Sequence, residues 1–161
     1  MRSLVCADAN IAIKRLVHEP DSFLARALWA DWEAQQAVVI APTLWAYEVT
    51  SVLRKLVYRG LLSPQLEQAT LTTAYRLPVS LRRPTRLHQH ASELARRFNR
   101  PAAYDAHYLA LAEMIGCPFW TSDERLFNAV HVELPWVNWL GHYRTAEVLH
   151  ERQAEYLASS R

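Results

Sequence analysis

The sequence predicts an α/β domain in which a mainly parallel sheet is covered on both faces by helices. Three observations support this fold class. Short apolar runs of strand length alternate with longer helical segments, an order typical of parallel sheets. The predicted strands are apolar throughout, as strands buried on both faces are. A length of 161 residues with 51% hydrophobic and 21% charged residues suits one globular domain.

The first part of the chain is predicted to fold as strand, helix, helix, strand and helix. The opening strand ends at Asp8, and Pro20 stops the helix that follows it. Asp21 and Ser22 can cap the second helix, and Thr43 can cap the third, which stops at Gly60. The predicted ranges are 4–7 (strand), 9–17 (helix), 22–35 (helix), 37–41 (strand) and 43–59 (helix).

Glu48 occupies an unusual position in the third predicted helix. Leu44, Glu48, Val52 and Leu56 recur every four residues, so Glu48 falls within an apolar stripe. A buried, unpaired carboxylate costs several kcal/mol or takes up a proton. We therefore expect a cationic or metal partner for Glu48, unless the helix is rotated and Glu48 is a surface residue.

The second part of the chain continues the alternation. Thr85 can cap a helix, and Gly116 can end another. The predicted ranges are helices 63–76, 85–98, 103–115 and 122–129, strands 117–121 and 131–134, a strand or connection at 77–81, a packed turn at 134–143 and a final helix at 145–157. We expect a main domain at 1–138, with the turn and helix of 139–161 packed on it.

Four carboxylates are predicted to meet at one edge of the sheet. Asp8 and Asp123 directly follow strands, and Glu48 and Asp105 lie in the opening turns of helices. All these positions belong to the carboxyl edge, where open parallel sheets bind ligands. Such acids repel one another and stay together only if protons or cations neutralise them. Mg²⁺ prefers oxygen ligands, and one or two such ions can activate water and stabilise charge on a phosphate.

Each acid also has a simpler explanation. Asp8 and Asp123 could cap the helices that follow them, and Asp105 could interact with a helix dipole. Their joint placement favours a metal site. Three polar residues beside the acids could orient ligands or water: Asn10, Thr121 and Ser122.

A basic stretch precedes the helix that carries Asp105. Its arginines are Arg82, Arg83, Arg86, Arg96, Arg97 and Arg100, accompanied by His88 and His90 and opposed only by Glu93. The formal net charge of +2 does not by itself indicate a nucleic-acid-binding protein. The stretch is either a solvated helix face or a surface that contacts phosphate backbone.

The two cysteines and the length of the apolar runs bear on the cellular compartment of the protein. Cys6 and Cys117 lie in apolar settings without a CxxC spacing, which predicts buried, reduced thiols. No apolar run approaches the roughly 20 residues of a membrane span, and the apolar start is too short for a signal peptide. We expect a cytoplasmic protein.

Four short motifs surround the acids. They are Leu-Val-Cys-Ala-Asp8-Ala-Asn, Ala-Tyr-Glu48-Val-Thr-Ser-Val-Leu-Arg, Tyr104-Asp105-Ala-His-Tyr-Leu-Ala-Leu-Ala and Phe-Trp-Thr121-Ser-Asp123-Glu-Arg-Leu. In this order, over residues 1–135, they resemble the motifs of PIN-domain ribonucleases, and most closely those of VapC-type toxins of bacterial toxin–antitoxin pairs.

The resemblance implies a PIN-like three-layer α/β/α sandwich, and the predicted C-terminal helix extends past the matched core. It implies Mg²⁺- or Mn²⁺-dependent endonucleolytic cleavage of RNA, inhibition by a cognate antitoxin that inserts into the site, and a homodimer. Its metal-binding acids would be Asp8, Glu48, Asp105 and Asp123. Asn10 departs from the pattern, because a hydroxyl residue is common at its position.

Alternative functions remain open at this point. A housekeeping RNA-processing nuclease would share the chemistry and differ in its target. A catalytically idle PIN-like module would bind RNA or protein, although nothing would then maintain four mutually repelling acids. A phosphatase with Asp8 as its nucleophile would need a second aspartate where Asn10 stands.

Overall fold

The computed structural model of the protein describes residues 2–144 and has a five-stranded, all-parallel sheet at its centre. The strands are Leu4–Ala7 (β1), Val38–Pro42 (β2), Val79–Arg82 (β3), Phe119–Thr121 (β4) and Val137–Trp139 (β5). Helices flank the sheet: Ala9–Leu16 (α1), Ser22–Ala34 (α2), Leu44–Tyr58 (α3), Pro64–Ala74 (α4), Leu87–Arg97 (α5), Tyr104–Ile115 (α6) and Glu124–Val130 (α7). The predicted α/β/α sandwich is confirmed.

The strand order places a topological switch point at the centre of the sheet. The order is β3-β2-β1-β4-β5, so the chain moves outward from β1 in one direction and later returns to its other side. Cys6 pairs with Ile40 of β2 and with Phe119 of β4. Asp8 and Asp123 therefore follow neighbouring strands at the position where such folds bind ligands.

The core is formed by the central strands and the inner faces of the helices. Val5, Cys6 and Ala7 of β1 are buried, as expected for a strand covered on both faces. Trp29 of α2 and Phe119 of β4 are among the largest fully buried side chains. The buried centre of the molecule therefore contains β1 and β4, the strands that Asp8 and Asp123 follow.

The last strand lies elsewhere than the sequence predicts. Residues 131–134 form a turn, in which the backbone N–H groups of Glu133 and Leu134 donate to the carbonyl of Val130. The strand is Val137–Trp139, within the segment predicted as a packed turn, and it pairs with β4. The prediction was wrong because four residues of mixed polarity gave no signal that α7 ends in a turn. Residues 77–81, predicted as a strand or a connection, contain most of strand β3, which is Val79–Arg82.

Some predicted helix caps also differ. Thr85 does not cap α5; Arg86 precedes that helix in the left-handed region, at φ 69°. Asp21 and Thr43 occupy the predicted N-cap positions of α2 and α3, but neither side chain makes a capping hydrogen bond, and Asp21 instead accepts one from Lys14. Gly116 ends α6 at φ 73°, as predicted.

Three further predictions concern the cysteines, a membrane span and the C-terminal helix. Cys6 and Cys117 are free and buried, as predicted. Within residues 2–144, no helix has both the length and the apolar character needed to cross a membrane. The predicted helix at 145–157 lies outside the described residues, so the domain boundary at 138 stays a prediction.

Candidate active site

Asp8 is held at the end of β1 by three hydrogen bonds. The backbone N–H of Ile11 donates to Oδ1 at 2.9 Å, and the Thr121 hydroxyl donates to Oδ2 at 2.6 Å. The backbone N–H of Ser122 also donates to Oδ2, at 3.3 Å. Burial raises the pKa of Asp8 to about 6 even though these hydrogen bonds lower it, and the negative charge of Asp105 raises it further. Asp8 thus caps α1 and also presents a buried carboxylate.

Glu48 lies at the border between the core and the surface. Trp45, Val49 and Leu53 form the buried stripe of α3, and Glu48 lies on the flank of that stripe, where it is half-buried. Its Oε2 accepts a short hydrogen bond from the hydroxyl of Tyr108. Burial raises the pKa of Glu48 to about 7; the Tyr108 hydrogen bond lowers it, and Asp8 raises it by repulsion. Its hydrogen-bond partner among the described residues is therefore a neutral hydroxyl, and the expected cationic or metal partner stays a prediction.

Asp105 and Asp123 lie at the N-terminal ends of α6 and α7. Asp105 is half-buried in the first turn of α6, and its pKa is raised by burial and then by the negative charge of Asp123. Nη2 of Arg100 lies 3.5 Å from Oδ2 of Asp105 and opposes this shift. Asp123 caps α7, because its Oδ1 accepts from the backbone N–H groups of Arg125 and Leu126. Both residues thus have the local helix-end roles that the simpler explanation proposed.

Electrostatic repulsion links all four acids. Asp8 and Asp105 both raise the pKa of Glu48, Asp105 also raises that of Asp8, and Asp123 raises that of Asp105. The fold therefore brings the predicted acids into one neighbourhood. Within residues 2–144, no three side chains of His, Cys, Asp or Glu are close enough together to hold a metal ion. The donor set is nonetheless all oxygen and carries excess negative charge, which suits a hard cation that keeps several waters.

Thr121 connects the segments that carry two of the acids. It is fully buried at the end of β4, donates to Asp8, and accepts from the backbone N–H of Asp123 at 2.9 Å. The Ser122 contact to Asp8 is made by its backbone N–H and not by its hydroxyl. Asn10 is exposed on the first turn of α1, so its role stays a prediction.

Tyr108 belongs to the site, although the sequence reasoning did not select it. It is buried on α6, three positions after Asp105, and its ring stacks on Phe119 with centroids 5.9 Å apart. A signal was available, because a tyrosine on the inner face of a helix needs a polar partner for its hydroxyl. The sequence did not reveal that this partner is Glu48, 60 residues away.

The arginines of the basic stretch divide into two groups. Five are exposed: Arg82, Arg83, Arg86, Arg96 and Arg97. Arg97 is paired with Glu133, with Nη2 and Oε2 2.6 Å apart. Arg100 is half-buried beside Asp105, and its Nε is buried without a hydrogen-bond partner among the described residues. Arg100 is therefore the member of the stretch that the structure places against an acid of the site.

Comparison with known protein families identifies the fold. The PIN domain family matches residues 5–132, a range that contains all four acids and Thr121. A search of curated proteins finds no match. PIN domains are generally nucleases, they act on RNA, and they usually use divalent metal ions. Because the match covers most of the chain, this protein belongs to the PIN domain family.

Proposed function

We propose that this protein is a Mg²⁺- or Mn²⁺-dependent endoribonuclease and the toxin of a toxin–antitoxin pair. One observation supports the nuclease activity most strongly. Four carboxylates from different elements, Asp8, Glu48, Asp105 and Asp123, repel one another at the carboxyl edge of a PIN-domain sheet. A fold without a cationic ligand gains nothing from this repulsion.

The proposed mechanism assigns distinct tasks to the side chains. Asp8, Glu48, Asp105 and Asp123 would hold one or two ions directly or through water; when bound, the metal supplies an activated water and offsets charge on the phosphate. Thr121 keeps one oxygen of Asp8 in a defined orientation by its hydrogen bond. Because the carboxylate is already fixed, it loses little conformational freedom when the ion binds.

Two other residues act on the charge of the site. Tyr108 donates to Glu48 and so favours its ionised form, which is the form that binds cations. Arg100 places a positive charge next to Asp105, where a phosphodiester would also gain from it. In this proposal, Arg100 and the exposed arginines of 82–97 steer the RNA backbone toward the acids.

Substitution of two acids tests the nuclease activity. We expect Asp8→Asn and Asp105→Asn each to lower the Mn²⁺-dependent cleavage rate by at least about 100-fold, because each removes a ligand charge. Asp21→Asn is the matched control, since Asp21 pairs with Lys14 and is not one of the four acids. Circular dichroism should show unchanged secondary structure. Activity that persists in Asp8→Asn, or in excess chelator, contradicts the proposal.

Expression in cells tests the toxin role. Wild-type protein should arrest growth and leave cleaved RNA, whereas Asp8→Asn should do neither. A housekeeping nuclease would cleave RNA in vitro without arresting growth. An idle PIN-like module would bind no Mn²⁺ in calorimetry. A cognate antitoxin should suppress the arrest, and light scattering of the purified chain would test the proposed homodimer.

A further inference from the structure

A surface groove runs along the outer side of α3, close to Glu48. Its volume is about 530 Å³. It is lined by aromatic, hydroxyl and basic side chains, notably Tyr47, Thr50, Ser51, Arg54, Lys55 and Tyr75. Several of these residues belong to the motif around Glu48, but the roles assigned to the four acids do not account for the side chains that line the groove.

One wall of the groove is held in place by hydrogen bonds. The hydroxyl of Tyr75 donates to the carbonyl oxygen of Ala46 at 2.9 Å and lies 2.7 Å from Oγ1 of Thr50. Its ring packs edge-on against the buried Trp45, with centroids 6.3 Å apart. Tyr47, in contrast, is 78% exposed. The groove therefore combines a fixed aromatic wall with an aromatic ring that is available to a ligand.

The groove is positively charged. Arg54 and Lys55 line it, and no carboxylate among the described residues does. The side chain of Arg54 is 64% exposed, and its pairing with Glu67 is long, with Nη1 and Oε2 3.8 Å apart. Such a weak, exposed pair leaves the guanidinium able to bind another anion.

The groove lies on the same helix as Glu48 and next to it in sequence. Tyr47 directly precedes Glu48, and Ser51 and Lys55 follow Glu48 by one and two helical turns. Lys55 is close enough to Glu48 to attract its carboxylate electrostatically. A chain that crosses the acids can therefore continue along α3 without leaving the surface.

We propose that this groove binds a nucleotide of single-stranded RNA that flanks the cleaved phosphodiester. A base stacks on Tyr47, and the adjoining phosphates contact Arg54 and Lys55. Stacking on aromatic rings beside basic side chains is how proteins bind single strands with little sequence preference. The inference rests on the proposed ribonuclease function for the identity of its ligand.

RNA affinity tests the stacking contact. A short fluorescein-labelled single-stranded RNA is titrated with the full chain in chelator, so that no cleavage occurs, and anisotropy reports binding. We expect Tyr47→Ala to weaken binding roughly five-fold to 100-fold and Tyr47→Phe to remain close to wild type, because phenylalanine keeps the stacking face. Tyr58→Ala is the matched control: Tyr58 is 85% exposed on the same helix but does not line the groove.

The salt dependence of binding tests the phosphate contacts. Each contact to a single strand contributes roughly 0.7 to the slope of log affinity against log salt concentration. We expect Arg54→Gln and Lys55→Gln each to reduce this slope by about that amount. Arg26→Gln, an exposed arginine on α2, should leave it unchanged.

The outcomes separate this inference from the proposed function. Unchanged RNA affinity in Tyr47→Ala overturns the inference, whether or not the protein cleaves RNA. Lost self-association with unchanged RNA affinity also overturns it and assigns the groove to a contact between copies of the chain. Wild-type protein that binds RNA through Tyr47 but cleaves nothing with Mn²⁺ supports the groove and contradicts the nuclease proposal.

Discussion

At the scale of single residues, one carboxylate can cap a helix and also belong to an active site. Asp8 caps α1 and Asp123 caps α7. A carboxylate has about four acceptor positions, so the three hydrogen bonds to Asp8 and the two to Asp123 still leave room for water or a cation. The simpler explanation of these residues therefore does not exclude the functional one.

Tyr108 is the residue that most directly controls the charge of Glu48. Its hydroxyl donates to the Glu48 carboxylate and lowers a pKa that burial raises to about 7. Phenylalanine at this position keeps the ring that stacks on Phe119 and removes only the donor. The change therefore isolates the hydrogen bond from the packing.

We expect Tyr108→Phe to raise the pKa of Glu48 further, since the hydrogen bond to the ionised form is lost. The acidic limb of the pH–activity profile should then move to higher pH, with about a 10-fold loss of kcat/KM near neutral pH. Measurement of Mn²⁺-dependent cleavage between about pH 6 and about pH 9 checks this. A lower rate with an unshifted profile would show that the hydroxyl does not act through Glu48.

At the scale of elements, the position of the edge strand β5 depends on ring contacts among β5, α7 and the turn that follows β5. Trp139 of β5 stacks near Phe127 of α7, with centroids 6.3 Å apart, and contacts His142 edge-on at 4.8 Å. Gly141 lies directly against this ring. The turn therefore holds β5 against α7, the helix that Asp123 caps.

We expect Gly141→Ala to destabilise the fold, because its Cβ would lie 2.5 Å from Cη2 of Trp139. The indole must move against its neighbours, at a cost of about 1–3 kcal/mol. Urea unfolding followed by tryptophan fluorescence measures this. Gly116→Ala is the comparison: its Cβ would meet open space, so only the strain at φ 73° remains, about 1 kcal/mol. Equal stability of Gly141→Ala and wild type would refute the clash.

At the scale of the whole molecule, the acids make the metal-free fold sensitive to pH. Asp8 and Glu48 have pKa values of about 6 and about 7, both above the ordinary values of the unfolded chain. The folded state therefore binds more protons than the unfolded state throughout this window. Their contribution to stability is fully present below the unfolded pKa values and is lost as pH rises through the folded ones.

We expect the free energy of unfolding in chelator to fall between about pH 5 and about pH 8. MnCl₂ should restore part of it at the higher pH, because a bound cation stabilises the ionised carboxylates. Urea unfolding at a series of pH values, with and without metal, measures both effects. The double variant Asp8→Asn/Glu48→Gln should lose most of this pH dependence, and a slope equal to that of wild type would contradict the assignment.

The sequence predicted most of the elements because their signals are local. The apolar run of β1 and the glycine stop at Gly116 each depend on a few neighbouring residues, and both were confirmed. The sequence predicted a strand at 131–134 and a turn where β5 lies, and the structure shows the reverse. A strand of only three residues carries little periodicity by which it could be recognised. The predicted cap at Thr85 was wrong for a related reason. A threonine near the start of a helix is a plausible cap, but only the backbone shows at which residue the helix begins.

The sequence by itself determined the sheet-and-helix order and the position of each acid at a strand end or helix start. Strand direction and helix polarity then place all four acids at the same edge. Only the tertiary structure decided which side chains meet there. Tyr108 donates a hydrogen bond to Glu48, which is 60 residues away in the chain, and Thr121 donates one to Asp8, which is 113 residues away. Such pairings depend on strand order and helix packing, which are not encoded by any short stretch of sequence.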